Sequence, residues 1–452
     1  MNSELKVDFQ SIYKQFENRS PFQKIGKVHS NVGNSYEVSL SRAIIGSNVE
    51  FVTEFGKTCN GEVIGIKGNR CIVMPYEDLT GINSETKVYL RDLTTELKIS
   101  ESMLGRILNY RGEPIDSLGE LPGPFELKSI YGKSLNPLVR KQIRRPLDLG
   151  INAINGFMTI GKGQRIAILA GSGVGKSVLL GMMAKNTKAE VNVIALIGER
   201  GREVLEFIEN DLGKEGLKKS IIITATSDTS PLIRMKSAYV ATTIAEYFRD
   251  KGKDVLLMMD SITRFAMAGR EIALGAGEFP GQKGYSPSVF AKLPKLMERV
   301  GTKKNAGTIT GIYTVLVEGG DLDEPISDSI RAIADGHIVL SRELANRNQF
   351  PAIDILSSLS RVMNKVVSKE HRLVASDLRD LLAAYKENED LINVGAYIKG
   401  SNPRVDKAIV IYDELMELLR QDHEGSEVLM IDQILERMVH IVKKAQNFNG
   451  QN

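Results

Sequence analysis

The stretch AGSGVGKS, residues 170–177, lies between an apolar run, RIAILA (165–170), and the start of a helical pattern near Lys176. It matches the phosphate-loop pattern G-x-x-x-x-G-K-[ST] except that Ala170 replaces the first glycine. The glycines that remain inside the loop let its backbone N–H groups turn toward phosphate oxygens: Gly171, Gly173 and Gly175. The order of strand, loop and helix therefore predicts a nucleotide-binding α/β domain in spite of the alanine.

The same loop supplies two side chains suited to a nucleoside triphosphate and its Mg²⁺ ion. We expect the Lys176 ammonium to reach the β- and γ-phosphates and the Ser177 hydroxyl to ligate the metal. The helix that follows presents the partial positive charge of its N-terminus to the phosphates. The predicted nucleotide-binding residues are Gly171, Ser172, Gly173, Val174, Gly175, Lys176 and Ser177.

Two carboxylates follow apolar strands downstream, at the strand ends where α/β proteins bind ligands. Asp260 ends DVLLMMD (254–260) and is expected to hold Mg²⁺ directly or through water. Glu199 follows VNVIALIG (191–198) and is placed to polarise the attacking water. Taken alone, Asp260 also suits a turn or a helix cap, and Glu199 a solvated turn; the neighbouring phosphate loop favours the catalytic interpretation. The candidate supporting residues beside Glu199 are Arg200 and Glu203.

Changes in pattern divide the rest of the chain into predicted domains. Short β-rich runs punctuated by Gly and Asn indicate a small β-barrel over 21–92. Near-continuous apolar strands alternating with helical segments indicate a largely parallel α/β domain over 93–365. Apolar stripes at helical spacing predict a C-terminal helical domain over 366–452. The predicted fold class is therefore α/β.

Residues 1–20 form a separate amphipathic segment. Its apolar side chains fall at i, i+3, i+4 and i+7 of one predicted helix face: Phe9, Ile12, Tyr13 and Phe16. This N-terminal arm either binds a partner or packs on its own domain, and the pattern alone favours neither.

Composition excludes several classes of protein. Among 452 residues, 42% are hydrophobic and 25% charged, which is typical of a soluble globular chain. A net charge of +3 argues neither for nor against nucleic-acid binding, and the absence of a run of 18 apolar residues predicts no membrane span. The two cysteines are expected to be reduced thiols, and the five scattered histidines predict no His/Cys metal site.

Four strings together resemble the hexameric ATPases related to the catalytic subunits of rotary ATP synthases: AGSGVGKS, GERGREV, LLMMDSITRFA and PAIDILSSLSR. Within that superfamily, residues 277–301 and 314–344 resemble the type III protein-export ATPases of bacterial flagella and related injection machines. The resemblance spans residues 95–450. It implies a RecA-like P-loop core with a small β-barrel before it and a helical domain after it, and it implies ATP and Mg²⁺ as cofactors.

The resemblance also assigns roles to single residues. Lys176 and Ser177 fall on the phosphate-binding and Mg²⁺-binding positions, and Asp260 falls on the aspartate associated with the metal. Glu199 falls on the glutamate that activates water. Arg361 falls on the arginine finger that a neighbouring subunit donates to the site.

Two aromatic residues resemble walls of the adenine pocket: Phe350, where relatives usually have Tyr, and Tyr397. Plain core packing is the alternative for both. Because Glu199 and Arg361 lie on one chain, a homo-hexameric ring would complete every site with identical parts.

The implied function is ATP hydrolysis that promotes type III export of unfolded proteins, in flagellar assembly in preference to an injectisome. The implied partners are further copies of the chain, a dimeric regulator that grips the N-terminal arm, a central coiled-coil protein, the export gate and chaperone–cargo complexes, without nucleic acid. The implied location is cytoplasmic, peripheral to the membrane, at the cytoplasmic face of the inner-membrane export apparatus. Phe279 and Ser286 stand where relatives are expected to have proline, in a loop expected near the ring's pore.

Three rival functions are weighed against this interpretation. The stretches GYSPSVFAKLPKL and EGGDLDEP argue against a rotary ion-translocating subunit. An RNA-dependent helicase-like ring predicts basic residues interleaved with aromatic ones on the β-barrel, and few clustered Lys or Arg occur there. A catalytically silent ring member disagrees with the joint presence of Lys176, Glu199 and Asp260.

Overall fold

The computed structural model describes residues 25–78, 80–93, 95–317, 324–422 and 427–448. The predicted N-terminal arm, with Phe9, Ile12, Tyr13 and Phe16, lies outside the described residues. Most described residues up to 95, together with Ile272–Glu278, form one compact unit, and the remainder forms a second. No helix within the described ranges is long and apolar enough to cross a membrane.

The first unit is built around a closed β-barrel of six strands in the order β1-β2-β5-β4-β3-β6. Side chains alternate between its interior and its surface, as the two-residue period of a strand requires; along β3 the buried residues are Val49 and Phe51. The predicted barrel is therefore confirmed. Its strands are β1 (Ile25–Val32), β2 (Ser35–Val38), β3 (Asn48–Val52), β4 (Thr58–Lys67), β5 (Arg70–Pro75) and β6 (Lys87–Asp92).

The second unit is built on a sheet in the order β17-β16-β10-β15-β13-β11-β12-β8, with β14 added beside β15. Neighbours from β16 to β8 are parallel, whereas β17 is antiparallel to β16. A separate antiparallel pair joins β7 (Glu96–Ile99) and β9 (Glu126–Ser129). The strands of the sheet are β8 (Ile107–Leu108), β10 (Arg165–Ala170), β11 (Val191–Ile197), β12 (Ser220–Ala225), β13 (Asp254–Asp260), β14 (Gly301–Thr302), β15 (Thr308–Leu316), β16 (Gly336–Leu340) and β17 (Ile353–Ser360).

The central strands are apolar along their whole length because both faces of the sheet are covered. Every residue of β11 is buried, as are eight of the nine residues of β15. Since β10, β11 and β13 are parallel, their carboxyl ends meet at one edge of the sheet, and Leu196 at the end of β11 lies opposite Asp260. This edge is where the candidate site lies.

Helices cover the sheet and follow it along the chain. The longest helix beside the sheet begins at Pro231, where the fixed φ of proline suits a first helical residue, and the Ser230 hydroxyl accepts a hydrogen bond from Ile233 N. The helices are α1 (Asn152–Phe157), α2 (Lys176–Asn186), α3 (Gly201–Glu206), α4 (Gly213–Lys218), α5 (Pro231–Asp250), α6 (Ile262–Gly275), α7 (Pro287–Met297), α8 (Pro325–Ile333), α9 (Arg342–Asn346), α10 (Met363–Val366), α11 (Lys369–Asn393), α12 (Pro403–Leu419) and α13 (Ile431–Asn447). A π-helical turn, Phe207–Leu212, lies between α3 and α4.

The C-terminal helices share a core with the sheet. Leu378 of α11, Ile411 of α12 and Ile434 of α13 are buried in one cluster with Ile168 of β10 and Leu180 of α2. The region predicted as a separate helical domain over 366–452 therefore packs within the second compact unit.

The Tyr313 hydroxyl is one of several buried polar groups on the sheet that have no hydrogen-bond partner among the described residues. The hydroxyl of Tyr313 on β15 is fully buried and makes no hydrogen bond within the described part of the chain, and burial raises the pKa of Tyr313. An unsatisfied hydroxyl costs about 1–3 kcal/mol. We expect Tyr313→Phe to leave the midpoint of thermal unfolding unchanged or to raise it. A clear fall of the midpoint would contradict this and would show that the hydroxyl is bonded.

Candidate nucleotide-binding site

The phosphate loop leaves the central strand β10 at its carboxyl end. Ala170 is the last residue of β10, is 1% exposed, and lies between Leu316 of β15 and Leu340 of β16. Its carbonyl accepts a hydrogen bond from Val317 N at 3.0 Å. The position therefore belongs to a regular strand, where alanine fits without strain.

The glycines of the loop that require their conformational freedom come later. Gly173 has φ of 76° and Gly175 has φ of 82°, in the left-handed region that disfavours side chains. A Cβ built on Gly173 would meet no heavy atom within 4 Å, so the backbone there faces open space. The loop thus presents an open cradle of backbone N–H groups at the N-terminus of α2, as expected for a phosphate site.

Lys176 lies between the two predicted carboxylates. Its ammonium donates to Asp260 Oδ1 at 2.5 Å and to Glu199 Oε1 at 3.4 Å. Asp260 also accepts a hydrogen bond from the Thr314 hydroxyl at 2.7 Å, and its side chain is only 4% exposed. The Glu199 side chain is 16% exposed. Neither carboxylate is a solvated turn residue, and the structure brings all three predicted groups together.

The pKa values of Glu199 and Lys176 are both raised, although burial acts in opposite directions on the two groups. Burial and the negative charge of Asp260 raise the pKa of Glu199 to about 7, against the opposing attraction of Lys176. Burial would lower the pKa of Lys176, but Asp260 and Glu199 outweigh it, so the net shift raises the pKa of Lys176. The pKa of Glu199 therefore lies near neutral pH, which suits a group that accepts a proton from water.

The two candidate supporting residues lie at the start of α3. The Arg200 guanidinium is 3.5 Å from Glu203 Oε1, and the Arg200 side chain is 76% exposed. The protonated Glu199 carboxyl donates a hydrogen bond to the Glu203 carboxylate, and this bond contributes to raising the pKa of Glu199. The Glu199 backbone is fixed by a hydrogen bond from Ser227 N to Glu199 O at 3.0 Å.

Arg264 on α6 is a candidate that the sequence reasoning missed. A Cβ built on Gly198 would lie 2.9 Å from Arg264 Cγ, so the arginine stem packs against the residue before Glu199. The Arg264 Nε is buried without a hydrogen-bond partner among the described residues. Arg264 stands four residues after Asp260 within LLMMDSITRFA, in the first turn of the helix that follows β13. This spacing was a signal in the sequence that Arg264 lies near the end of that strand.

A cavity of about 370 Å³ adjoins the loop on the side away from Glu199's strand. The predicted Phe350 is one of its walls and is 36% exposed, and a Cβ built on Gly175 would lie 3.4 Å from its ring. The remaining lining residues are Gly173, Gly175, Val178, Leu179, Met182, Pro351, Gln421 and Asp422. A largely apolar slot with an aromatic wall beside a phosphate loop suits the base of a nucleotide.

Tyr397 is not a wall of this cavity. Its hydroxyl donates to Asp406 Oδ1 at 3.0 Å, and its ring packs against a small cluster of buried residues on α11 and α12. Gln421 and Asp422, just after α12, line the cavity instead. Its bond to Asp406 and its packing hold Tyr397 within the C-terminal helices, and a place for it beside the base stays a prediction from the resemblance.

Arg361 lies at the opposite edge of the sheet from the phosphate loop. It directly follows β17, whose last residue, Ser360, is opposite Gly336 at the start of β16. Because β16 is parallel to β10, this is the edge where β10 begins, and six residues of strand separate the two edges by about 20 Å. The exposed Arg361 side chain bonds only weakly, to Ala334 O at 3.4 Å. The structure does not bring Arg361 to the phosphate loop of its own chain.

The residues present fit a nucleoside triphosphate with a divalent cation. The loop offers open backbone at Gly173, and the Arg264 Nε lacks a partner among the described residues. Asp260 lies at the same edge of the sheet as the loop, where Lys176 donates to it. The described residues contain no group of three or more His, Cys, Asp or Glu side chains that could hold a metal. A cation here would therefore be held by Ser177, Asp260 and the phosphates together.

Family models match three separate stretches of the chain. The nucleotide-binding domain of the ATP synthase alpha/beta family matches residues 150–360, and its beta-barrel domain matches residues 28–90. The C-terminal domain of the type III secretion ATPase EscN matches residues 367–440. The RecA-like core flanked by barrel and helices is thus confirmed.

Individual relatives agree with these matches. The flagellum-specific ATP synthase of Bacillus subtilis is 48% identical over 422 residues, which cover 93% of this chain and 96% of the relative. The assembled ATPase EscN of the enteropathogenic E. coli type III secretion system is 41% identical, with a TM-score of 0.86 over 92% of this chain and 100% of EscN. EscN in complex with its central stalk EscO gives 42% identity and a TM-score of 0.84 over the same shares. This chain therefore belongs to the ATP synthase alpha/beta family and is an ATP-hydrolysing enzyme of its type III export branch.

Proposed function

We propose that this chain works as a homo-hexameric ATPase that promotes type III export of unfolded proteins in flagellar assembly. The observation that carries the proposal is the division of the site: Lys176, Glu199 and Asp260 meet at one sheet edge, and Arg361 lies at the other. A ring in which the Arg361 edge of one subunit faces the phosphate loop of the next completes each site. The flagellum-specific relatives support the flagellar role, and the assembled EscN supports self-assembly.

Each residue at the loop edge has a distinct role in hydrolysis. Lys176 binds the phosphates, while Ser177 and Asp260 hold Mg²⁺, which when bound neutralises charge on the phosphate oxygens. Glu199 orients the attacking water and takes its proton, since its pKa of about 7 lies near the working pH. The half-buried Arg264 packs its stem against Gly198, the residue before Glu199, and its buried Nε has no hydrogen-bond partner among the described residues.

The second half of the site comes from the neighbouring subunit. The Arg361 side chain is exposed, and its guanidinium donates to Ala334 O at 3.4 Å as its one hydrogen bond to the described residues, so it is available to a neighbour. In related phosphoryl transfer a finger contributes about 10³–10⁵ in rate, because it stabilises charge that develops in the transition state. ATPase activity is therefore coupled to assembly, and the monomer is expected to be inactive.

The proposed partners follow from the family. A central coiled-coil protein is supported by the complex of EscN with its stalk EscO. A dimeric regulator on the N-terminal arm, the export gate and chaperone–cargo complexes complete the set, at the cytoplasmic face of the membrane. The alternative system is an injectisome, since EscN serves type III secretion in enteropathogenic E. coli.

The rate of ATP hydrolysis per chain, measured against protein concentration with Mg²⁺, tests the proposal. We expect the rate per chain to rise with concentration and to level off when rings are complete, in step with the ring fraction seen by light scattering. A rate per chain that is constant down to fully monomeric protein would contradict the shared site. A purified chain that neither assembles nor hydrolyses ATP would favour the rival role of one subunit in a mixed rotary ring.

A further inference from the structure

Gln421 is a buried residue that the proposed mechanism does not use. It follows α12, is 3% exposed, and lies in the wall of the cavity beside the phosphate loop. Both ends of its side-chain amide are occupied: Nε2 donates to Gly150 O at 2.8 Å, and Oε1 accepts from Asn152 N at 3.1 Å. A buried amide bonded at both ends to the backbone of a segment 269–271 residues away is a fixed tie between distant parts of the chain.

The same residue also holds the aromatic wall of the cavity. Its backbone N–H donates to Phe350 O at 2.8 Å. Gln421 therefore connects Phe350 to the 150–152 segment through one residue. A movement of the Gln421 backbone would move Phe350, because the hydrogen bond joins them directly.

The 150–152 segment in turn abuts the phosphate-loop helix. A Cβ built on Gly150 would lie 2.4 Å from the Cβ of Asn186, the last residue of α2, so the two backbones approach closely. Asn152 adds a second tie, since its Nδ2 donates to Leu418 O at 2.9 Å near the end of α12. The opposite walls of the cavity, α2 and Phe350, are thus kept at a fixed separation through Gln421.

We propose that Gln421 is a positioning residue for the base of the nucleotide. It sets the width of the slot between Phe350 and α2, and it does so without contacting the phosphates. The inference rests on the proposed function, because it takes the slot to hold the base of ATP. It predicts that Gln421 governs affinity for the base half of the nucleotide and leaves the phosphate half unaffected.

Two ligands separate these halves: Mg·ATP, which has a base, and Mg·tripolyphosphate, which has none. For Gln421→Ala in the full chain, we expect the Kd for Mg·ATP and the KM to rise about tenfold, as for the loss of about 1.4 kcal/mol. The inhibition constant of Mg·tripolyphosphate should stay within about twofold of wild type, because the phosphate site is unchanged. The kcat should stay within about threefold of wild type, because Arg361 is unchanged.

A second variant removes the effect of lost volume. Gln421→Glu keeps the size of the side chain and an oxygen for Asn152 N, but it places a carboxylate oxygen against Gly150 O. We expect it to show the same selective loss of Mg·ATP affinity. If the residue only fills space, Gln421→Glu will bind Mg·ATP as wild type does, and the proposal fails.

His371 provides the matched control. It is 2% exposed and also ties the C-terminal helices to α1, through a 2.8 Å hydrogen bond with Gly156 O, but it is not among the lining residues of the cavity. We expect His371→Ala to lower the thermal midpoint without changing the ratio of the two ligand affinities. Equal losses for both ligands in Gln421→Ala, or no loss for either, would overturn the proposal. Wild-type protein that binds no Mg·ATP would instead overturn the proposed function.

Discussion

Arg361→Ala is expected to lower kcat by about 10³-fold or more while the Kd for Mg·ATP changes little. The side chain lies at the sheet edge opposite the phosphate loop, so it takes no part in binding nucleotide to its own chain. In the proposed mechanism its guanidinium acts in the transition state of the neighbour's site, and an interaction made only there affects kcat and not ground-state binding. Single-turnover hydrolysis and equilibrium binding, measured on assembled rings, separate these two effects.

Arg372→Ala is a suitable control for this variant. Arg372 is an exposed arginine on α11, and its removal changes net charge by the same amount. We expect its hydrolysis rate to match that of wild type. If Arg361→Ala hydrolysed ATP at the wild-type rate in complete rings, each chain would hold a whole site, and the trans role would be abandoned.

Glu199→Gln is expected to lower kcat by about 10²–10⁴-fold with nucleotide binding retained. The amide keeps the shape of the side chain but cannot accept a proton from the attacking water. Lys176 keeps its bond to Asp260, so the phosphate loop retains its main ion pair. Loss of Mg·ATP binding in parallel with loss of rate would contradict a role confined to the chemical step.

The same variant has a predicted effect on stability. The pKa of Glu199 is raised from 4.5 to about 7 in the folded protein, so folding binds a proton between these values, and stability falls as the pH rises through this window. Above pH 7 the ionised Glu199 destabilises the nucleotide-free fold by an amount on the order of 1–3 kcal/mol. Glu199→Gln should therefore unfold at a higher temperature than wild type at pH 8, with the difference lost near pH 4.5. A variant less stable than wild type at pH 8 would contradict the strained carboxylate.

Local sequence rules were sufficient for the residues at strand ends. Lys176, Glu199 and Asp260 were predictable because parallel strands end at one edge of the sheet, whatever the details of packing. The alanine at 170 was also explicable, since the structure makes it a strand residue and not a loop residue. The barrel followed from short runs with a two-residue period.

Contacts between segments that are distant in the sequence could not be predicted from local sequence rules. Tyr397 was assigned to the base slot by resemblance, yet its bond to Asp406 holds it among the C-terminal helices. Gln421 lies in the wall of the cavity and is held there by hydrogen bonds to Gly150 and Asn152, about 270 positions earlier. No sequence motif indicates these hydrogen bonds. Arg264 had a signal in its spacing from Asp260, but its unpartnered Nε is visible only in the fold.

Mixing two inactive variants tests whether each site is shared between two copies of this chain. Lys176→Ala removes the phosphate-binding half of a site, and Arg361→Ala removes the finger. Rings reassembled from equal amounts of both contain intact sites wherever an Arg361→Ala chain receives the finger of a Lys176→Ala neighbour, at about one interface in four for random mixing. We expect the mixture to regain about a quarter of the wild-type rate, while each variant alone is inactive. A mixture as inactive as its components, in rings shown to contain both chains, would contradict it.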